Sequence, residues 1–172
     1  MDCLKFLNPG IIVQLAGYLD NYNLIETPKG YFRYYTKVFL TLKKYMYIKK
    51  LNHASNIQII GLTSNLNDLI MNCDLLISPF SKEHFSRPII EAFAYKKPVI
   101  GSDVKGMDEI IDHEINGFIV EKNNANALAN VINMLFHNRE KGREMGIRGF
   151  EKASELYSQN NVELIENIYN SI

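Results

Sequence analysis

Cysteine is scarce in this sequence. Cys3 and Cys73 are the only two, and they form neither a CxxC pair nor part of a metal-ligand cluster. Isolated thiols in a chain of this size fit a reducing compartment and not a disulfide scaffold. No sign of charge is in excess either, since 19 Lys and Arg balance 19 Asp and Glu. That balance argues against a nucleic-acid partner and against an acidic, solvated tail. No apolar run approaches the roughly 18 residues that span a bilayer. Met1–Leu19 has an acidic residue at Asp2 and only a short apolar stretch at Ile11–Leu19, so it lacks the pattern of a secretory signal. Also missing are the G-x-G-x-x-G fingerprint of dinucleotide-dependent dehydrogenases, a P-loop and a nucleophile elbow. These absences predict a cytoplasmic protein. Its 172 residues, 47% hydrophobic and 22% charged, are enough for one globular domain over 1–172 with a real core.

Strands and helices alternate along the chain. Short apolar runs at Ile11–Leu19, Ile57–Leu62, Leu75–Pro79, Pro98–Ser102 and Gly117–Glu121 predict five strands. Tyr31–Leu51 repeats its apolar residues at helical spacing, Asn65–Cys73 does so over a shorter span, and Arg87–Tyr95 has Pro88 in its first turn. Ala125–Tyr157 predicts a long helical stretch broken near Asn138 and again near Gly146–Gly149, and Val162–Ser171 predicts a last helix. Strands that are apolar throughout, separated by helices, predict an α/β fold whose parallel sheet is covered on both faces.

Such sheets bind ligands at the carboxyl ends of their strands. The rule selects the loops Gly17–Gly30, Phe80–Pro88 and Asp103–Glu109. The second is the most unusual, with Glu83 just before a helix start and Glu91 one turn inside it. A helix N-terminus has unpaired N–H groups and a partial positive charge that suit a phosphate. A carboxylate one turn in can accept two hydroxyl hydrogens of a vicinal diol. Diphosphate and diol together describe a nucleotide sugar, but glutamates near helix starts also serve simply as dipole complements. A receiver-like signalling domain would place an aspartate at the end of the third strand, where Ser78–Pro79–Phe80 stands instead.

The ordered series from Ser78 onward resembles the family 4 glycosyltransferases. Glu83 and Glu91 match their E-x7-E signature, within Glu83–Phe85–Pro88–Glu91–Ala92, and Pro98–Val99–Ile100, Gly106, Glu109–Ile110–Ile111, Asn116–Gly117–Phe118–Ile119–Val120 and Met145–Gly146 follow in family order. The likeness covers Leu66–Gly149. It implies a Rossmann-like three-layer sandwich of about five or six mostly parallel strands, the C-terminal half of a GT-B architecture. It also implies retaining transfer of a sugar from a UDP- or GDP-linked donor to a saccharide or lipid-linked acceptor, as in polysaccharide biosynthesis.

By position in the motif, Glu91 would bind the ribose hydroxyls. Glu83, the catalytic position, would stand beside the transferred sugar. His84, Phe85, Ser86 and Arg87 would line the donor, largely through backbone N–H groups, and Lys29 would approach the diphosphate. The resemblance implies no metal and no cofactor besides the nucleotide-sugar substrate.

The departures from the family pattern are His84 and Ser86 where glycines are usual, and Tyr18 where an arginine is usual; Arg87 could supply the missing charge. No N-terminal acceptor domain is recognised, so activity is expected to need a separate acceptor-binding domain or subunit. The alternative is a non-catalytic nucleotide-sugar module or an inert remnant.

Other features have plainer readings. His84 could contact substrate, or hydrogen-bond locally. His53, His113 and His137 read as surface residues. Glu109 is expected to cap or complement a short helix at Met107–Asp112. The basic, aromatic Lys43–Lys50 could touch an anionic membrane, but the favoured reading is a helix whose lysine stems cover apolar surface while its tyrosines pack inward. Gly142–Gly146 spells GxxxG and reads as a helix break sooner than a dimer seam.

Overall fold

The structure, a computed structural model, describes residues 6–16, 57–61 and 65–157. The helices expected at Tyr31–Leu51 and Val162–Ser171, the loop Gly17–Gly30 with Tyr18 and Lys29, and His53 lie outside the described residues. The five expected strands all form. Two compact units divide them.

In the unit Pro9–Leu66, β1 (Val13–Ala16) runs parallel to β2 (Ile57–Gly61), and Gln14 Nε2 donates to Gln58 Oε1 across the pair at 3.0 Å. The other unit holds β3 (Leu76–Ser78), β4 (Val99–Ser102) and β5 (Phe118–Val120) in the order β3-β4-β5, again all parallel. Among the described residues the strands thus form a two-stranded and a three-stranded parallel ladder. Every residue of the central β4 is buried. A strand covered on both faces can hold no alternating polar side, which is why Val99–Ile100–Gly101–Ser102 is apolar or small throughout.

Among the described residues four helices accompany the strands: α1 (Leu66–Asn72), α2 (Arg87–Ala94), α3 (Ala125–His137) and α4 (Arg139–Leu156). α2 makes the crossover that parallel β3 and β4 require and packs against both strands and against α4. Its side chains Ile89 and Phe93 join Val99, Ile100, Met107, Ile110 and Ile111 in the core, all at 1% exposure or less. Burial of one such side chain stabilises by roughly 1.5–3 kcal/mol. The expected break at Asn138 is present. Its side chain caps α4 by accepting from the Lys141 N–H at 3.1 Å, and its own N–H closes α3 on the Met134 carbonyl.

The second expected break, near Gly146–Gly149, does not form. α4 continues as one helix of 18 residues to Leu156. Gly142, Gly146 and Gly149 lie on its buried face. A side chain at Gly146 would strike the Lys96 carbonyl, and one at Gly149 the Phe93 ring. The glycines therefore let α4 approach the end of α2 closely. Their helix-propensity cost of about 1 kcal/mol each is offset by the packing, and the GxxxG spacing marks a seam within the chain. Lys96, at φ 54, ends α2 in a left-handed turn whose N–H reaches the Phe93 carbonyl, while the Lys97 N–H reaches Ala92.

The short helix expected at Met107–Asp112 is also absent. Met107 N–H bonds back to the Val104 carbonyl, and Ile110 and Ile111 to Met107, which makes one turn. The side-chain oxygen of Asn116, a residue only 1% exposed, then takes the Asp112 N–H at 2.8 Å. With that amide captured from downstream, the helical ladder cannot extend. The same Asp112 pairs with Lys152 of α4 at 2.9 Å, anchoring the turn.

Candidate functional site

β3 and β4 are parallel neighbours, so the loops leaving their carboxyl ends emerge at one edge. They are pinned there. The His84 N–H donates to the Lys105 carbonyl at 3.2 Å. Opposite this bond Gly106 has φ 91, and a Cβ on it would stand 3.3 Å from the His84 carbonyl oxygen. Only glycine adopts that backbone without strain, which gives a local reason for the Gly106 of the motif series.

The β3–α2 loop closes on itself as well. Ser78, at the end of β3, and Ser86, the residue before α2, join hydroxyl to hydroxyl at 2.7 Å, both buried. The Ser86 side chain is thus turned to the interior and committed to Ser78. Any ligand contact of Ser86 runs through its backbone. Between the two serines the His84 ring stacks on Phe80, with centroids 3.6 Å apart and 29° between planes. The ring that replaces the usual glycine is held against its own loop. Glu83 is exposed on the same loop.

Glu91 lies in the middle of α2, whose first turn contains Pro88; proline fits there because those N–H groups have no helical partner. Its half-buried carboxylate, 27% exposed, is 3.1 Å from Nε of Arg87, whose side chain is 83% exposed. Exposed pairs of this spacing contribute only about 0.3–0.5 kcal/mol, so the carboxylate is open to a stronger partner. The Arg87 guanidinium therefore faces Glu91.

Tyr157, the residue capping α4, is a neighbour that sequence reasoning missed. Its ring meets the half-exposed Phe85 edge-on, with centroids 6.4 Å apart. Burial, and then the negative charge of Glu109, raise its phenol above the ordinary tyrosine range. Glu109 caps no helix; it faces Tyr157 electrostatically. No spacing rule links Tyr157 to Phe85, since only the run of α4 back along α2 brings them together. Of the expected site residues, the structure gathers Glu83, His84, Phe85, Ser86, Arg87 and Glu91 at one strand-end edge. Among the described residues no three His, Cys, Asp or Glu side chains converge as metal ligands, and no helix is long and apolar enough to cross a membrane.

Parallel strands, a covering crossover helix and pinned loops at the strand ends define a Rossmann-like α/β fold. The sequence profile of the glycosyl transferases group 1 family matches residues 41–152, and the chain belongs to that family. The match extends further toward the N-terminus than the motif series from Leu66 does.

An uncharacterized glycosyltransferase of Methanocaldococcus jannaschii, MJ1178, is 30% identical over 123 residues, covering 70% of this chain and 35% of its own length. The N-acetyl-alpha-D-glucosaminyl L-malate synthase of Bacillus anthracis is 30% identical over 123 residues, covering 71% of this chain and 32% of its own length. The chain thus spans about a third of the length of these curated relatives. Among solved structures, Anabaena HepE in complex with UDP superposes with a TM-score of 0.77 at 22% identity, over 99% of this chain and 44% of its own. That likeness establishes the fold, the C-terminal half of the GT-B architecture.

Proposed function

We propose that the chain is the donor-binding half of a retaining, family 4 glycosyltransferase that takes a UDP- or GDP-linked sugar. The observation that carries this reading is the half-buried Glu91 carboxylate on α2, paired among the described residues with the exposed Arg87, beside two loops pinned at the carboxyl ends of β3 and β4. Glu91 accepts the ribose hydroxyls, and the first-turn amides of α2 face the diphosphate. Glu83, on the loop before α2, contacts the sugar hydroxyls. The UDP bound by Anabaena HepE supports a nucleoside diphosphate as the common part of the ligand.

In the reaction, the bond from the anomeric carbon to the diphosphate oxygen breaks and a bond to the acceptor oxygen forms on the same face. The acceptor proton passes to the departing phosphate. The charge developing on that leaving group is the quantity the site has to stabilise. Orientation of the acceptor can be worth roughly 7–11 kcal/mol of barrier, and in this reading it comes from a separate acceptor-binding domain or subunit. The relatives, about twice as long as this chain, leave room for one.

The test is titration of the labelled 172-residue chain with UDP, GDP, UDP-glucose and GDP-mannose, with and without EDTA. Binding by at least one pair, unchanged by EDTA and moving the amides of Phe85–Arg87 and Glu91, is expected. Glu91→Gln should weaken it by about 1–3 kcal/mol, the range for a hydrogen bond to a charged group. Absence of binding by all four at millimolar concentration refutes the reading in favour of an inert remnant, and unchanged affinity in Glu91→Gln refutes the ribose role.

A further inference from the structure

We infer that Arg87 is a displaceable occupant of the Glu91 carboxylate, and that its guanidinium transfers to the phosphate when a nucleoside diphosphate takes the site. The inference rests on the reading above that Glu91 receives the ribose. Arg87 is the first residue of α2 and Glu91 follows one turn later. Nε lies 3.1 Å from Oε1, with the carboxylate 27% exposed and the guanidinium arm 83% exposed. The carboxylate is therefore the anchored partner, and the guanidinium lies over it in solvent.

A solvent-exposed pair at this spacing shifts an equilibrium by only about twofold. A diol offering two hydroxyl donors to the same carboxylate can displace it. The freed guanidinium then stands at the head of the helix, where the first-turn amides also favour an anion. A planar guanidinium can grip a phosphate with two parallel N–H bonds, a stronger contact than one carboxylate oxygen in water provides.

Arg87 thus acts in opposite directions on two parts of one ligand. It competes with the ribose diol and attracts the phosphate. A residue that merely supported the loop would weaken both parts together. A residue that merely paired with Glu91 would hinder both.

The sign difference is what the experiment reads. Take whichever of UDP and GDP the unaltered chain binds more tightly, and its own nucleoside, and measure both affinities by amide shifts in Arg87→Met and Arg87→Lys. Arg87→Met should weaken the diphosphate roughly tenfold, as expected for loss of a charge-assisted contact, and tighten the nucleoside about twofold by freeing Glu91. Arg87→Lys, which keeps the charge but not the fork, should fall between the unaltered chain and Arg87→Met for the diphosphate. Weakening of both ligands, or no change in either, overturns the inference while binding by the unaltered chain preserves the functional reading. If the unaltered chain binds neither diphosphate, the functional reading falls, and this inference with it.

Discussion

Replacing the glycines of α4 one at a time separates two explanations for a glycine-rich helix. Alanine is favoured over glycine in a helix interior by about 1 kcal/mol, so a glycine that merely weakens the helix can be improved upon. At Gly142 a Cβ would meet Pro98 Cγ at 3.5 Å, ordinary van der Waals contact. Gly142→Ala should therefore stabilise the protein by about 0.5–1 kcal/mol.

At Gly146 the added Cβ would run into the backbone carbonyl of Lys96. That carbonyl cannot swing aside cheaply. Lys96 is fixed in a left-handed turn by its N–H bond to Phe93 at 2.8 Å, and Lys97 follows with a 2.9 Å bond to Ala92. Overpacking costs roughly 1–3 kcal/mol, and collision with a tethered backbone belongs at the upper end. Set against the propensity gain, Gly146→Ala should destabilise by about 1–2 kcal/mol. For a chain of this length each kcal/mol moves the melting temperature by about 2–4 °C. Thermal unfolding followed by circular dichroism should therefore show Gly142→Ala above the unaltered chain and Gly146→Ala below it. If both variants melt higher, the close approach of α4 to the end of α2 is not what holds glycine at 146, and the packing account is wrong.

The hydroxyl pair and the two groups with raised pKa supply two further tests. Ser78→Ala leaves the Ser86 hydroxyl buried without its partner at 2.7 Å, which should cost about 1–3 kcal/mol. The double variant Ser78→Ala/Ser86→Ala should lose less in denaturant unfolding than the sum of the two singles, and strict additivity would show that the pair is not coupled. Burial raises the Cys73 thiol, with Lys97 opposing, and burial followed by Glu109 raises the Tyr157 phenol. A raised folded-state pKa makes the neutral form the stabilising one, so this contribution is complete below the ordinary thiol and phenol range and declines as pH rises through it. Stability should therefore fall on the alkaline side, and Cys73→Ser with Tyr157→Phe should flatten that fall; an unchanged alkaline limb would contradict the assignment.

What the sequence revealed follows from which interactions are local. The strands were legible because burial on both faces leaves no polar alternation, as in β4, and the α2 start was legible because proline is tolerated in a first helical turn. The halt at Asn138 was legible for the same reason, because a side chain that caps its own neighbour acts within a few residues.

The misreadings share the opposite cause. Gly146 and Gly149 resemble a helix break in isolation, and only the Lys96 carbonyl and the Phe93 ring, supplied by another helix, explain them. Met107–Asp112 has the composition of a helix, yet Asn116 withdraws an amide from its ladder.

The site shows the same division. The motif series from Ser78 to Glu91 is contiguous and could be read directly, whereas Tyr157 reaches Phe85 only through the length of α4. The glycine seam between α2 and α4 therefore reaches further than stability. It sets the position of the helix that carries both Arg87 and Glu91, and of the helix end that brings Tyr157 to the same loop.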